Sequence, residues 1–512
     1  MSGAAPGVVY LVGSGPGSPD LVTERCRELV ASADVLVYDR LIPDFLTSIV
    51  PAGCRCIDAG KTAGDHTLAQ GDINDLLVKE AQAGNAVVRL KGGDPYLFGR
   101  GGEEAGRCEA AAVPFEVVSG VTSALSVPAS AGIPVTHRGV SQHVTIVTAS
   151  TGATGEGDPD YAWLAQSTGT IVLLMGLRRL EHVAATLVAH GAMADRPVAV
   201  ISRGTTPLQR TVTGTLLDIA AKVEAAQLSA PAIIVVGEVV KLRESLNWFE
   251  RRPLFGTTVT VTRARAQSSA LVSELMALGA HVVETPTVRV EPLDDEQLDD
   301  VLAQLDSYAF CIFTSRNGAL RAFQRLAAHG RDARAFAGVS VAVVGAGTAE
   351  ECRAFGIEPD IMPDVGGNTS MGLLQRLGRE PLFGCRALVV RAEVGEERFI
   401  SGLQAFGAEV DVVYAYRTLI ELPDAHTVQA ALAADVVTFT SASTVRNFDK
   451  LVPAGVAKPP AITIGPVTSI AAREHGYEVV AEATVPGVAG LVACVLATHA
   501  TNRNEAAAVP GE

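Results

Sequence analysis

Aromatic residues make up only 5% of the 512-residue chain, and tryptophan occurs twice. So few rings leave little material for a base-stacking platform. The formal net charge of −15 denies the chain the broad basic surface that phosphate backbones and anionic membranes require. A local basic pocket for an acidic small molecule is compatible with that balance. No apolar run reaches the ~20 residues needed to cross a bilayer. The first residues, MSGAAPG, lack the basic-then-apolar pattern of a secretory leader. The expectation is a cytoplasmic protein with neither a nucleic-acid nor a membrane partner. Disulfide and metal signals are missing too. The eight cysteines are scattered, Cys54 and Cys56 are the one close pair, and neither a C-x-x-C nor an H-x-x-x-H spacing occurs. These read as free thiols, with no metal site.

What is present is α/β material: 48% hydrophobic, 19% charged, and long enough for about three domains. The first half is built around Ala86–Glu104, AVVRLKGGDPYLFGRGGEE. A β-branched run ends at Gly92-Gly93-Asp94-Pro95, where the backbone can approach a ligand with no Cβ in the way. The same design recurs. Val8–Val12 runs into a Gly13–Asp20 loop and then helical spacing over 21–33; Arg55–Asp58 runs into Gly60-Lys61; Val117-Val118 runs into Ser119–Ser123. In a parallel sheet such turns gather at one edge, where ligands bind. The first loop reads G-x-G-x-G with Pro16 inside, not the dinucleotide pattern G-x-G-x-x-G, and proline removes an N–H that a pyrophosphate cradle wants. That argues against a nicotinamide site, although Asp39 imitates the ribose-binding acid in its spacing.

VYLVGSGPGSPDLVT, VLVYDRLI, LKGGDPYLFGRGGEE, SGVTSALSVPASAGIPVTHRG and LLMG at 173–176, in that order, resemble the uroporphyrinogen-III C-methyltransferases of the tetrapyrrole methylase family. The resemblance covers about 6–250 and includes LNWFE at 246–250, the usual end of such chains. It implies two subdomains, about 6–145 and 146–250, with the glycine-rich 152–159 stretch as hinge, and dimerisation through this half. It also implies two C-methylations, at C2 and C7 of uroporphyrinogen III, giving precorrin-2 on the siroheme and cobalamin route. S-adenosyl-L-methionine would be the donor, leaving as S-adenosyl-L-homocysteine. By the resemblance, Pro16, Gly92, Gly93, Asp94, Leu97, Thr122, Ser123, Met175 and Gly204 contact that donor, Asp39 is the proton acceptor and Lys61 the proton donor. Taken alone, Asp39 is a strand-end carboxylate, Lys61 a surface lysine and Met175 a core filler. Uroporphyrinogen carries eight carboxylates, so Arg100 and Arg138 stand as candidate substrate-binding cations by motif adjacency, with Arg40 and His137 beside them.

WFERRPLFG reads as a linker at about 251–256, after which a new strand–helix pattern begins. It contains an internal repeat: AFCIFTSRNGALRAF (309–323) answers DVVTFTSASTVRNF (435–448), and VSVAVVGAGTAEECRAFG (339–356) answers PAITIGPVTSIAAREHG (460–476). Duplicated strand–turn–helix units suggest two similar lobes whose helix starts bind acidic groups. FTSRNG, VVGAGTAE, VYAYRT and the second FTS are similar to uroporphyrinogen-III synthases over about 257–500. That resemblance implies a bilobal α/β fold, one lobe 257–288 plus 419–500 and the other 289–418. The implied reaction closes hydroxymethylbilane to uroporphyrinogen III with inversion of ring D. Tyr416, with Tyr414 as the alternative, would assist the departing hydroxyl. Thr314, Ser315, Thr440 and Ser441 would bind substrate. The last residues, 501–512, lack apolar periodicity and read as disordered. Two rivals stand beside this reading: a methylase acting on RNA or protein, and a second half that is a tetrapyrrole-binding regulatory module.

Overall fold

The computed structural model describes residues 3–43, 45–60, 68–149, 158–262, 265–293, 295–364, 369–485 and 487–508. The chain divides into two compact units, Met1–Thr257 with Leu275–His281, and Thr258–Glu274 with Val282–Glu512.

The first unit holds two five-stranded sheets. One contains β1 (Val9–Gly13), β2 (Val35–Tyr38), β3 (Arg55–Asp58), β4 (Val87–Lys91) and β5 (Phe115–Val118) in the order β3-β2-β4-β1-β5, every neighbour parallel. Its inner strands are buried on both faces because helices cover both, and apolar apart from Arg89 and Lys91 of β4. Val9, Leu11, Val35, Val37 and Val87 pack with Leu77 and Cys108, while the alternate residues Tyr10, Val12, Leu36, Val88 and Leu90 pack with Cys26 and Leu29. This is the period-2 alternation of a strand.

The second sheet contains β6 (Val144–Thr148), β7 (Thr170–Leu174), β8 (Pro197–Ser202), β9 (Arg210–Thr215) and β10 (Ala232–Val236), ordered β6-β7-β10-β8-β9. β6 and β7 are parallel, whereas β10 runs antiparallel to both β7 and β8, and β9 runs antiparallel to β8. β9, a threonine-rich edge strand, is not among the strands expected from sequence, because it has no apolar run to announce it. The helix Ser123–Ser130, which follows β5, seats Ala124 and Val127 against Val172, Ala199 and Ile201 of this sheet. The turn after β5 is thereby carried to the second sheet.

The second unit continues with β11 (Thr258–Val261), β12 (His281–Glu284), β13 (Val288–Pro292), β14 (Phe310–Phe313), β15 (Ser340–Val343), β16 (Arg386–Ala392), β17 (Glu409–Ile420), β18 (Val436–Phe439), β19 (Ala461–Thr463) and β20 (Val479–Glu482). They form one sheet ordered β12-β11-β18-β19-β20 and another ordered β13-β17-β16-β14-β15. The two copies of the internal repeat fold alike. β14 leads through Ser315 into the helix Arg316–Ala328, as β18 leads through Ser441 into Ala442–Asp449; each serine accepts a hydrogen bond from a backbone N–H of the first helical turn. β15 and β19 lead through Gly345 and Gly465 into helices in the same way.

The expected disordered tail is corrected for 501–508: the last helix spans Val488–Ala508. Apolar periodicity is needed to pack a helix, not to extend one already nucleated, and the alanine-rich NEAAA continuation propagates it. Among the described residues, no helix is long and apolar enough to cross a membrane.

Candidate functional site

In the first unit the strand-end turns meet one another. A Cβ on Gly13 would lie 2.5 Å from the Gly93 carbonyl oxygen and 2.6 Å from the Gly120 nitrogen, so three backbones from the ends of β1, β4 and β5 press together where only glycine fits. Gly15 and Gly93 exchange backbone hydrogen bonds, at 3.2 and 2.7 Å, as an isolated bridge. Gly93 has φ +70°, and a Cβ there would meet nothing nearer than the Ser123 nitrogen at 3.8 Å. Its Cα face therefore opens beside Thr122 and Ser123, leaving room for a ligand to lie against the backbone. Thr122 caps the helix Ser123–Ser130 by accepting from the Ala124 N–H.

Asp94 is committed to bracing the turns. Its Oδ1 accepts from the Tyr96 N–H at 2.8 Å and its Oδ2 from the Gly120 N–H at 3.2 Å. Leu97 packs against the core cluster that contains Ala124 and Val127. From the second sheet, Gly204 lies against Val127, and Gly17, next to Pro16, lies against Thr205 and Thr206. Met175 follows β7, which runs in the same direction as β8, so it leaves the same sheet edge as Gly204. It is 54% exposed, which corrects the core-filler reading. Strain concentrates here as well. Phe98, Arg100, Met175, Arg203 and Thr205 all have positive φ (48° to 67°), a conformation that surrounding contacts must hold for residues with a Cβ.

Asp39, at the end of β2, sits over a buried ionic cluster that sequence reasoning missed. Arg89 Nη2 donates to Asp39 Oδ1 at 2.6 Å and Arg89 Nε to Glu104 Oε1 at 3.0 Å. Lys91 Nζ donates to the same Glu104 oxygen at 2.9 Å and stands 3.9 Å from Asp39 Oδ2. Gln70 Nε2 adds a donor to that oxygen at 3.2 Å, while Glu104 Oε2 is buried without a hydrogen-bond partner among the described residues. The Arg89, Lys91 and Glu104 side chains are 2%, 3% and 0% exposed, against 33% for Asp39. Asp39 is thus the accessible member of an otherwise sealed group. Burial, and then the neighbouring Arg89 charge, pull the Lys91 ammonium below its ordinary value. The sequence shows that Arg89 and Lys91, two apart on a strand, share a face, but not which carboxylates meet them there.

Lys61 lies outside the described residues. Arg100 precedes the helix Gly101–Ala110 and forms an exposed ion pair with Glu103 at 2.7 Å, and Arg138 is exposed in the turn bridged by His137 and Ser141. Among the described residues, the hydrogen bonds and ion pair of the Arg100 side chain go to Glu103 and not to the glycine turns.

In the second unit, the Tyr416 hydroxyl donates to Ser315 Oγ at 2.9 Å, and Ser315 Oγ also accepts from the Gly318 N–H at 3.1 Å. Tyr416 is 7% exposed and packs in the core of its sheet, whereas Tyr414 is 39% exposed beneath the guanidinium of Arg391, itself 4% exposed. The two tyrosines would share a face in a regular strand. A register shift, in which Arg391 pairs with Tyr414 but Ala392 with Tyr416, turns them apart. Thr314 follows β14, and its N–H reaches the Val390 carbonyl at 3.4 Å. Thr440 and Ser441 hold the equivalent turn after β18, with Ser441 Oγ 2.8 Å from Ser443 Oγ. Among the described residues, no group of His, Cys, Asp or Glu side chains could hold a metal ion.

A glycine-lined unit of one parallel and one mixed sheet is followed by a duplicated strand–turn–helix unit, an α/β architecture in both halves. Residues 8–220 match the family model of tetrapyrrole (corrin/porphyrin) methylases, and residues 269–493 match that of uroporphyrinogen-III synthase HemD. The porphyrin biosynthesis protein HemD of Ruminiclostridium josui is 35% identical over 486 residues, covering 93% of this chain and 95% of its own. The S-adenosyl-L-methionine-dependent uroporphyrinogen III methyltransferase of Methanosarcina barkeri is 52% identical over 241 residues, 47% of this chain and 94% of its own. Among solved structures, uroporphyrin-III C-methyl transferase from Thermus thermophilus complexed with S-adenyl homocysteine matches at 38% identity and a TM-score of 0.40, covering 46% of this chain and 99% of that one. The chain belongs to the porphyrin-biosynthesis family in which a uroporphyrinogen-III C-methyltransferase is fused to a uroporphyrinogen-III synthase.

Proposed function

We propose that the first unit methylates uroporphyrinogen III at C2 and C7 to give precorrin-2, and that the second makes uroporphyrinogen III from hydroxymethylbilane with inversion of ring D. The product would feed siroheme and cobalamin synthesis. The observation that carries the methylase reading is the convergence of the glycine turns beside the one accessible carboxylate of a buried ionic cluster.

S-adenosyl-L-methionine supplies an electrophilic sulfonium methyl when bound. The open Cα face of Gly93, flanked by Thr122 and Ser123, suits close backbone contact with such a donor, and Pro16, Gly92, Leu97, Met175 and Gly204 complete its proposed surroundings. Asp94 keeps the β4 and β5 turns in register. A pyrrole carbon attacking the methyl leaves positive charge on its ring nitrogen. Asp39 stabilises that charge and accepts the N–H proton. Arg89 and Lys91 hold the Asp39 carboxylate in orientation, and Lys61 returns a proton. Arg100 and Arg138 are the proposed partners of the substrate carboxylates.

In the second unit Tyr416 would turn its single O–H from Ser315 to the departing hydroxyl of hydroxymethylbilane, the Ser315 hydroxyl then donating to the phenol oxygen. Thr314, Thr440 and Ser441 bind the chain, so that geometry selects the inverted product. The protein is proposed to work in the cytoplasm as a homodimer through its first unit, which sedimentation velocity tests.

Asp39→Asn tests the methylase assignment. The turnover number for methylation should fall by about 10²–10⁴-fold, while S-adenosyl-L-homocysteine still binds by calorimetry. Unchanged turnover would remove Asp39 from the mechanism.

A further inference from the structure

Two residues beside Gly204 are held in left-handed backbone, Arg203 at φ +48° and the β-branched Thr205 at +67°. Such residues stay there only where neighbouring groups determine them. The support comes from a polar chain that the proposed chemistry does not use. The Thr205 N–H donates to Gln209 Oε1 at 2.9 Å, and Ser130 Oγ donates to the same oxygen at 2.7 Å. On its other side, Gln209 Nε2 donates to Glu250 Oε1 at 2.9 Å. Thr211 Oγ1 donates to that Glu250 oxygen at 2.6 Å, and Arg243 pairs with Glu250 Oε2 while donating through Nη1 to the Ala131 carbonyl at 2.6 Å. Gln209 and Thr205 are 3% and 4% exposed.

The direction of the chain follows from the inventory of donors. An ionised carboxylate can only accept, so Gln209 must turn its amide nitrogen toward Glu250 and its oxygen toward the Thr205 N–H. Glu250 is the last residue of LNWFE, the closing motif of the methylase half. We infer that Glu250 and Gln209 are positioning residues that set the Gly204–Thr205 backbone, and with it the affinity for the methyl donor. This rests on the reading that Gly204 borders the donor pocket.

The test is a charge-exchange cycle on the full chain, read as the dissociation constant of S-adenosyl-L-homocysteine by calorimetry. Gln209→Glu alone sets two carboxylates face to face and should raise that constant by about 10-fold, the loss expected when a buried amide hydrogen bond is strained. Combined with Glu250→Gln, the donor and acceptor exchange places, and affinity should return to within about threefold of wild type. The KM for uroporphyrinogen III should stay within about twofold throughout. A purely structural role would lower the melting temperature and leave the dissociation constant of the folded protein unchanged. That result, or a double variant no better than Gln209→Glu, overturns the inference. Asp94→Ala separates the two failures: if it weakens donor binding while the cycle is flat, the pocket stands and only the relay falls. If Asp94→Ala is silent as well, the pocket reading falls and takes the relay with it.

Discussion

One oxygen of Glu104 faces both Arg89 and Lys91 in a sealed environment. Removing one partner of a buried ionic group leaves the others uncompensated, which costs far more than the intact group contributes. Glu104→Gln should therefore lower the unfolding free energy by about 3–5 kcal/mol, measured by urea titration of the first unit's transition. A change under about 0.5 kcal/mol would mean that the cluster is not sealed as described. In the second unit the corresponding single-residue test is Tyr416→Phe. The ring keeps its packing, so the unfolding midpoint should barely move, while turnover of hydroxymethylbilane should fall by about 10²-fold. Equal loss of stability and activity would reduce Tyr416 to a core residue. Asp39 was legible because it ends an apolar run at a motif. Arg89 and Lys91 were not singled out, because their partners come from β2 and from the helix Gly101–Ala110, and no local pattern announces contacts so distant along the chain.

The elements most legible in the sequence are those whose residues decide their own burial. β1 and β8 are fully buried, largely apolar runs, and the paired FTS turns foretell the serine caps of the helices Arg316–Ala328 and Ala442–Asp449. What escaped was set by neighbours. β9 is a strand because β8 offers it an edge, and the register shift that separates Tyr414 from Tyr416 depends on β16. One contact between elements has a testable pH signature. Asp299, on the helix Asp295–Ala303, accepts from Arg325 Nε at 2.8 Å and lies 2.8 Å from His329 Nε2. Hydrogen bonding from Arg325, then from His329, holds its carboxyl at about 2, below the ordinary 3.8. A depressed carboxyl favours the folded state fully above 3.8, and that contribution is lost as pH falls from 3.8 through about 2. Urea titrations across that window should find wild type losing its advantage over Asp299→Asn as the pH drops. A constant difference would contradict the pairing.

At the scale of the whole molecule, the two units are each complete in sheet and core, and each carries its own candidate chemistry. A fusion of this kind makes two separable predictions from one chain. Asp39→Asn should silence methylation and leave ring closure, and Tyr416→Phe should do the reverse. The acidic balance of −15 fits either unit only if basic groups are local. In the first unit Arg100 and Arg138 are the proposed local cations, since Arg89 and Lys91 are already committed to Asp39 and Glu104. The most direct measurement gives the purified protein hydroxymethylbilane with and without S-adenosyl-L-methionine, and scores isomer and methylation of the product. The account predicts uroporphyrinogen III without the donor and a dimethylated product with it. Only the type I isomer without the donor, alongside methylation of supplied uroporphyrinogen III, would contradict it and leave the second unit as a binding module.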